Sequence, residues 1–209
     1  MKLYHLQLHL ITKFIFLCER VSLKERSIKR HKVYRVFGVV QRDFVATIQQ
    51  GIDFLSGLSQ TQYTTVPDGF LSAIGGHIRH IVDHFVALEF ALESSLVNYE
   101  LRQRNSPMER DLAQALARLE QLKTWLSALP DSVFTQSVEV QADVGIGTDN
   151  VMSVQSTFGR ELMFACSHAI HHYATMKAIH LTFGGESSVQ FGLAPSTASY
   201  MRQQDSTQS

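Results

Sequence analysis

Two short clusters hold six of the ten histidines of this chain. In the first cluster, His77, His80 and His84 follow one another at intervals of three and four residues. In the second cluster, His168 and His172 are four residues apart. Residues separated by three, four or seven positions lie on one face of an α-helix. If both segments are helical, each presents an imidazole face, and two such faces can close on one metal ion.

A metal site explains these clusters better than ordinary core packing does. A lone histidine on an apolar helix face is most often a buried or boundary residue with satisfied hydrogen bonds. That interpretation does not explain six histidines flanked by apolar residues such as Ile78, Phe85 and Ile170, because burying imidazoles without hydrogen-bond partners costs free energy. Neutral imidazole binds zinc, iron, nickel and copper. A site of three histidines leaves open positions for water, as catalytic sites do.

The other polar residues in these segments have less specific interpretations. His171 lies about 60° around the helix from His168, so it either faces a neighbouring helix or supports a ligand from outside. Asp83 and Arg160 either pair across helices, orient a histidine, or lie on solvated helix faces. Cys166 is best interpreted as a core residue. None of these residues is assigned a catalytic role.

Apolar periodicity predicts four helices that would position the histidines. The third helix has the clearest start signal, because Ser106 begins a capping box with proline at the next position. The fourth helix can start at Ser156 or Thr157, and two glycines follow its end. The predicted helices cover about 36–58, 70–99, 106–129 and 156–183.

A different pattern separates the third and fourth helices. Residues 137–144 alternate apolar and polar side chains, which is typical of a strand, and a Gly-Ile-Gly turn follows. The predicted fold class is therefore all-α: a four-helix bundle with a long crossover, and room for a small hairpin, between helices three and four. The predicted organisation is an extension at 1–35 outside the fold, a bundle at 36–185 and a polar tail at 186–209.

Charge is distributed unevenly along the chain. Residues 1–42 hold 10 of the 19 Lys and Arg residues and only two acids, Glu19 and Glu25, for a net charge of +8. The remainder has a net charge of −8, which argues against nucleic acid as the partner. No stretch of about 18 apolar residues predicts a membrane span. Two cysteines cannot form a disulfide framework, so a cytoplasmic location is expected.

The basic segment before residue 36 has three open interpretations. Leu6 to Leu17 is a mostly apolar run with the length of a signal-peptide core, but no small-residue cleavage site follows it. The segment is an extension upstream of the fold, a mobile basic helix, or a targeting signal.

Two stretches make the chain resemble the DinB/YfiT-like superfamily. They are Ile-Gly-Gly-His-Ile-Arg-His-Ile at 74–81 and Ser-Thr-Phe-Gly-Arg-Glu-Leu-Met-Phe-Ala-Cys-Ser-His-Ala-Ile-His-His-Tyr-Ala at 156–174. The resemblance covers about residues 38–184. It implies an up-down-down-up four-helix bundle, often a homodimer. It also implies a divalent metal ion held by one histidine of the second helix and a His-x-x-x-His pair of the fourth.

Carried over to this sequence, the resemblance assigns His80, His168 and His172 as the metal ligands. The additional second-helix histidines, His77 and His84, are alternatives to His80 and depart from the simplest family pattern. Zinc or nickel is the expected ion, with iron as a third candidate.

Several activities on small molecules follow from the resemblance. They include transferases and isomerases that use low-molecular-weight thiols, metal-dependent hydrolases, and domains of iron-dependent sulfoxide synthases. The alternative is a non-catalytic helical bundle, metal-stabilised or metal-free, that acts through dimerisation or partner binding.

Overall fold

Six α-helices and three β-strands make up most of the chain that this computed structural model describes, residues 37–104 and 106–208, with side chains from 41 to 206. The helices are α1 Phe37–Ser56, α2 Gln60–Thr64, α3 Ile74–Ser94, α4 Leu112–Ala128, α5 Phe158–Thr182 and α6 Pro195–Gln208. The strands are β1 Leu96–Asn98, β2 Ser137–Asp143 and β3 Val151–Thr157. None of the described helices has the length and apolar character that a membrane span requires. The predicted extension at 1–35 lies outside the described residues.

The four long helices, α1, α3, α4 and α5, pack around one apolar core. α1 packs against α4 and α5, and α3 packs against the same two helices. The core includes Ile48, Phe85, Leu122 and Phe158, each 0% exposed. Burying a large apolar side chain of this kind stabilises the fold by about 2 kcal/mol. The two helices that carry the histidines, α3 and α5, are therefore direct neighbours in the bundle.

The predicted all-α fold class is wrong, because the described chain also contains a three-stranded mixed sheet. The hairpin expected between the third and fourth long helices is present as β2 and β3, which pair antiparallel with Val140 opposite Val154. β1 pairs parallel with β2, with Val97 opposite Val140. Val97, Val138 and Val140 belong to the same buried core as the helices, so the sheet is an integral part of the fold.

The second long helix ends earlier than its periodicity predicts. α3 stops at Ser94, and Ser95 takes a left-handed conformation with φ of 57°. The following three residues, Leu96–Asn98, form β1. Leu96 and Val97 fit a helical apolar stripe as well as a short strand, so periodicity alone cannot separate the two structures.

The third long helix starts later than the predicted capping box. Ser106 makes no capping hydrogen bond, and Pro107–Glu109 forms a 3₁₀ turn. α4 begins after Asp111, whose carboxylate accepts hydrogen bonds from two backbone N–H groups of the first turn at 2.9 and 3.1 Å. The start of α5 agrees with the prediction, since the Thr157 hydroxyl accepts a backbone hydrogen bond at 3.3 Å.

The segment after α5, predicted as a polar tail, contains one aromatic anchor. Phe191 is 6% exposed. Its ring stacks on Phe54 of α1 with a centroid distance of 4.2 Å and on Tyr173 of α5 at 5.0 Å. The chain therefore packs on both helices before α6 begins.

Candidate metal centre

α3 and α5 bring all five predicted ligand candidates to one place. The ring centroid of His80 is 5.0 Å from that of His168 and 4.8 Å from that of His172. His84 is 4.3 Å from His168, and His77 is 5.1 Å from His172. The histidines that share a helix face by their spacing therefore lie together where α3 contacts α5.

The centre of the cluster is the Nε2 atom of His168. It lies 3.0 Å from Nε2 of His80 and 3.1 Å from Nε2 of His172. A neutral ring nitrogen carries either one proton or one lone pair, so this atom cannot form two full hydrogen bonds to such neighbours. Two ligand atoms that are each about 2.1 Å from one ion are about 3.4 Å apart at the tetrahedral angle and about 3.0 Å apart at right angles. The donor atoms and their spacing therefore fit one shared divalent ion.

His84 joins this group beside His80 and His168. One ligand atom from each of these three residues lies within 4.8 Å of the other two. Nδ1 of His84 is 2.9 Å from the backbone carbonyl of His80. It donates that hydrogen bond, so Nε2 keeps the lone pair that a ligand needs. The assignment of His80, His168 and His172 as the ligands stays a prediction, because His84 competes with His172 for the third position.

His77 lies at the edge of the cluster. Its Nδ1 atom is 2.9 Å from Nδ1 of His172. If His172 donates this hydrogen bond, its Nε2 atom keeps a lone pair, whereas the reverse tautomer places a proton there. This contact favours a role for His77 outside the ligand set, in which it orients His172. It does not favour His77 as the replacement for His80.

The protein holds these imidazoles in the neutral form that binds metal. Burial, followed by the neighbouring imidazoles, lowers the pKa of His80 and His172 to about 3 and the pKa of His168 to about 4. Burial also lowers the pKa values of His77 and His84. Only His84 is buried, and the other four remain partly exposed. The cluster therefore offers lone pairs at neutral pH and is open to solvent on one side.

Two aromatic rings and one arginine surround the cluster. The ring of Phe164 stacks on His168 at a centroid distance of 5.8 Å, and the ring of Tyr99 lies 5.0 Å from that of His84. Arg102 is exposed, and its charge adds to burial in lowering the pKa values of nearby histidines. The open side of the cluster therefore combines apolar surface with positive charge.

A buried carboxylate fixes Tyr99 beside the cluster. Glu161, in the first turn of α5, is 1% exposed. It accepts hydrogen bonds from the Tyr99 hydroxyl at 2.9 Å and the Ser156 hydroxyl at 2.6 Å, and it pairs with Arg160 at 2.8 Å. Asp83 likewise pairs within its own helix. Asp83 and Arg160 therefore do not pair with each other.

Two further residues of α5, His171 and Cys166, lie outside the ligand group. His171 is exposed, with its ring centroid 5.5 Å from that of His172 and 6.4 Å from that of His168. Cys166 is a free, buried cysteine, and burial raises the pKa of its thiol to about 12. Cys166 therefore occupies the core position that was predicted for it.

Two residues that border the site, Tyr99 and Arg102, carry no signal in the sequence that would assign them to it. The periodicity assigns Tyr99 to the end of a helix, and no motif marks Arg102. Both approach the histidines because the chain turns back after β1, and this turn depends on pairing with the distant strand β2. No local signal in the sequence reports such a long-range contact.

Comparison with known protein families identifies the fold. A family model of the DinB superfamily matches residues 43–176, more than half of the chain. The chain belongs to the DinB superfamily. This match confirms the resemblance carried by the two histidine-bearing stretches, 74–81 and 156–174.

Two known proteins are similar to this DinB protein. FK506-binding protein 5 of Rhizopus delemar is 34% identical over 110 residues, which are 53% of this chain and 29% of that protein. The match therefore spans less than a third of that relative's length. The crystal structure of a DinB-like protein of Bacillus subtilis, YjoA, has a TM-score of 0.53 at 14% identity, covering 71% of this chain and 94% of that chain. At this identity, the likeness supports the fold alone.

Proposed function

We propose that this DinB protein is a metal-dependent enzyme of the thiol-dependent transferase or hydrolase type. The observation that carries the proposal is the contact of His168 Nε2 with the Nε2 atoms of both His80 and His172 in a partly exposed site. Zinc or nickel is the proposed ion, with iron as a third candidate. When bound, such an ion lowers the pKa of a water or thiol, so that an anionic nucleophile exists near neutral pH.

Residues around the histidines supply the features that a substrate site needs. Arg102 has no ion pair among the described residues, so its charge is available to an anionic group such as a thiolate or carboxylate. The backbone N–H of the next residue, Gln103, donates a hydrogen bond to Asp83 of α3 at 3.3 Å, which holds this loop against the histidine helix. Tyr99 and Phe164 offer ring surface for the apolar part of a small substrate.

The alternative is a non-catalytic bundle, metal-stabilised or metal-free, that acts through dimerisation or partner binding. The position of His84 favours this alternative. A fourth imidazole beside His80, His168 and His172 would complete a coordination shell and leave no position for a substrate. The two functions therefore differ in one measurable property, namely whether a small thiol or anion binds the ion directly.

A substrate screen tests the proposed activity. Metal-loaded protein is assayed with low-molecular-weight thiols paired with electrophiles, and separately with esters and amides. We expect metal-dependent turnover that is lost in His172→Ala and retained in the control His171→Ala, which changes an exposed neighbour. We also expect Arg102→Gln to raise KM for anionic substrates by about tenfold with little change in kcat, because it removes one charge-assisted contact.

Two outcomes would count against the enzyme. Turnover that survives in His172→Ala would come from another site or from a contaminant. A fully coordinated ion, with neither turnover nor thiol binding, would favour the non-catalytic alternative.

We also propose that the protein forms a homodimer in the cytoplasm. Large apolar side chains remain exposed, including Phe90 at 61%, Leu101 at 61% and Met163 at 62%, and association would cover such surface. Cys166 is free and buried, as is usual in a reducing compartment. Light scattering measures the mass in solution: we expect two chains, and a mass of one chain at every concentration tested would contradict the dimer.

A further inference from the structure

A cavity lies apart from the histidine cluster. It has a volume of about 650 Å³ and is lined by α1, the end of α5 and the segment 186–191. None of the five clustered histidines lines it. This volume is within the range that accommodates a small metabolite. The segment 186–191 reaches the cavity because Phe191 is anchored on Phe54 and Tyr173.

Unpartnered polar atoms are concentrated at this cavity. Among the described residues, four buried side-chain atoms have no hydrogen-bond partner, and three of them belong to cavity-lining residues: Gln50 Oε1, His180 Nδ1 and Ser187 Oγ. The fourth, the Tyr173 hydroxyl, belongs to the ring that stacks on Phe191. His180 is only 7% exposed. Buried polar groups are nearly always hydrogen-bonded in folded proteins, so this concentration indicates a place where a further molecule supplies the missing partners.

The charges at the cavity favour a cation. Asp53 and Glu186 line it, and no lysine or arginine does. Asp53 Oδ1 accepts a hydrogen bond from Gln49 at 2.7 Å, which leaves its second oxygen for another donor.

Two lysines contact residues of the cavity wall without lining the cavity themselves. Lys123 donates to Gln49 Oε1 at 3.0 Å and pairs with Glu120 at 2.5 Å, so its charge is balanced by a carboxylate. Lys177 donates to the backbone carbonyl oxygens of Ser188 and Val189 at 2.8 and 3.5 Å, which holds its ammonium group on the backbone of the segment 186–191.

The wall of the cavity also offers aromatic surface. The rings of Phe54 and Phe191 stack at a centroid distance of 4.2 Å, and the ring of His180 meets Phe54 edge-on at 5.4 Å. Gln50 Oε1 is an acceptor, and it needs an N–H or O–H donor. An ammonium group with an apolar body matches the carboxylates, the free acceptor and the rings together.

We propose that this cavity is a binding site for a small organic ammonium compound, separate from the histidine site. Gln50 and Asp53 accept hydrogen bonds from the ammonium group, and the rings of Phe54 and Phe191 contact its apolar body. The segment 186–191 forms one wall of the site, so ligand binding also stabilises the packing of that segment on α1 and α5.

Three probes of the same shape and different charge test the proposal. They are 2-phenylethylamine, the neutral 2-phenylethanol and the anionic 3-phenylpropionate, each titrated calorimetrically into the protein. We expect the amine to bind at least about tenfold more tightly than either of the others, because it alone makes charge-assisted hydrogen bonds.

Matched variants locate the binding. Asp53→Asn and Gln50→Leu should each weaken amine binding by about tenfold. Asp43→Asn is the control, since it makes the same change at an exposed position on the same helix, about 15 Å away along the helix axis. Asp53 is itself exposed, so Asp53→Asn should fold normally even if Gln50→Leu does not. Metal content should be unchanged in all three variants.

Three results would overturn the proposal. Equal binding of the three probes would mean that the cavity recognises apolar surface only. Amine binding that is the same in Asp53→Asn and in wild type would put the amine elsewhere. A crystal structure with the amine in excess that has only ordered waters at Gln50, His180 and Ser187 would assign those polar atoms to solvent.

Discussion

Replacing His168 with alanine is expected to abolish stoichiometric metal binding. Nε2 of this residue contacts those of both His80 and His172, and His168 also belongs to the group formed with His84. Its loss therefore removes a ligand from either candidate set. Loss of an outer-shell partner alone weakens metal binding by about 10- to 100-fold, so loss of this ligand should weaken it by at least about 100-fold.

Metal analysis after purification without a nickel column measures the effect. We expect about one ion per wild-type chain and less than about one-tenth of an ion in His168→Ala. His171→Ala is the matched control, because it removes an exposed imidazole of the same helix that lies outside the ligand group. Wild-type metal content in His168→Ala, or no binding when the wild-type protein is loaded with excess zinc, would contradict the site.

The same measurement identifies the third ligand. If His172 completes the set with His80 and His168, His172→Ala should lose the ion and His84→Ala should keep it. If His84 completes the set, His84→Ala should lose the ion and His172→Ala should keep it. Loss in both variants would mean four ligands, which favours the non-catalytic alternative over an open site.

The location of the histidine site could be predicted from local sequence because it depends on one geometric rule. The helical period places His77, His80 and His84 on one face and His168 with His172 on another. These faces then meet because α3 packs against α5. The family resemblance supplied that pairing of helices, which the spacing alone does not provide.

The finer features of the site and fold depend on contacts between distant residues. Whether His84 directs Nε2 toward the cluster depends on its hydrogen bond to the His80 carbonyl, and the sequence does not report side-chain torsions. The strand β1 has only three residues, and its parallel partner β2 follows after α4 and two 3₁₀ helices, Pro107–Glu109 and Asp131–Thr135. No short window of sequence contains that pairing.

The predicted capping box at Ser106 failed for a similar reason. The pattern of Ser106 and Glu109 is correct for a helix start, but the segment has a competing tertiary contact. The buried Tyr63 hydroxyl donates a hydrogen bond to the backbone carbonyl of Met108 at 2.6 Å. This contact accompanies the 3₁₀ turn, and the helix starts after Asp111 instead.

Gly75→Ala is expected to destabilise the fold by about 3 kcal/mol. Gly75 lies in the first turn of α3, where a Cβ atom would be 2.1 Å from the backbone oxygen of Glu109 and 3.0 Å from the Tyr63 ring. A backbone carbonyl cannot rotate away as a flexible side chain can, so the turn Pro107–Glu109 would have to move off α3. The Glu109 carboxylate also pairs with Arg79 of α3 at 2.9 Å, and that contact would be strained as well.

Urea unfolding of the protein in the presence of a chelator measures this effect without the contribution of metal binding. Gly57→Ala is the matched control, because its Cβ would meet only the backbone oxygen of Phe54 at 3.6 Å, and its free energy of unfolding should change by less than about 1 kcal/mol. Gly76→Ala should have an intermediate effect, since its Cβ would meet the Ser72 hydroxyl, which can rotate. Wild-type stability in Gly75→Ala would mean that the turn adapts to a side chain. A loss that is largest in Gly75→Ala, smaller in Gly76→Ala and minimal in Gly57→Ala would mean that close backbone packing at Gly75 holds the first turn of the helix that presents His77 and His80.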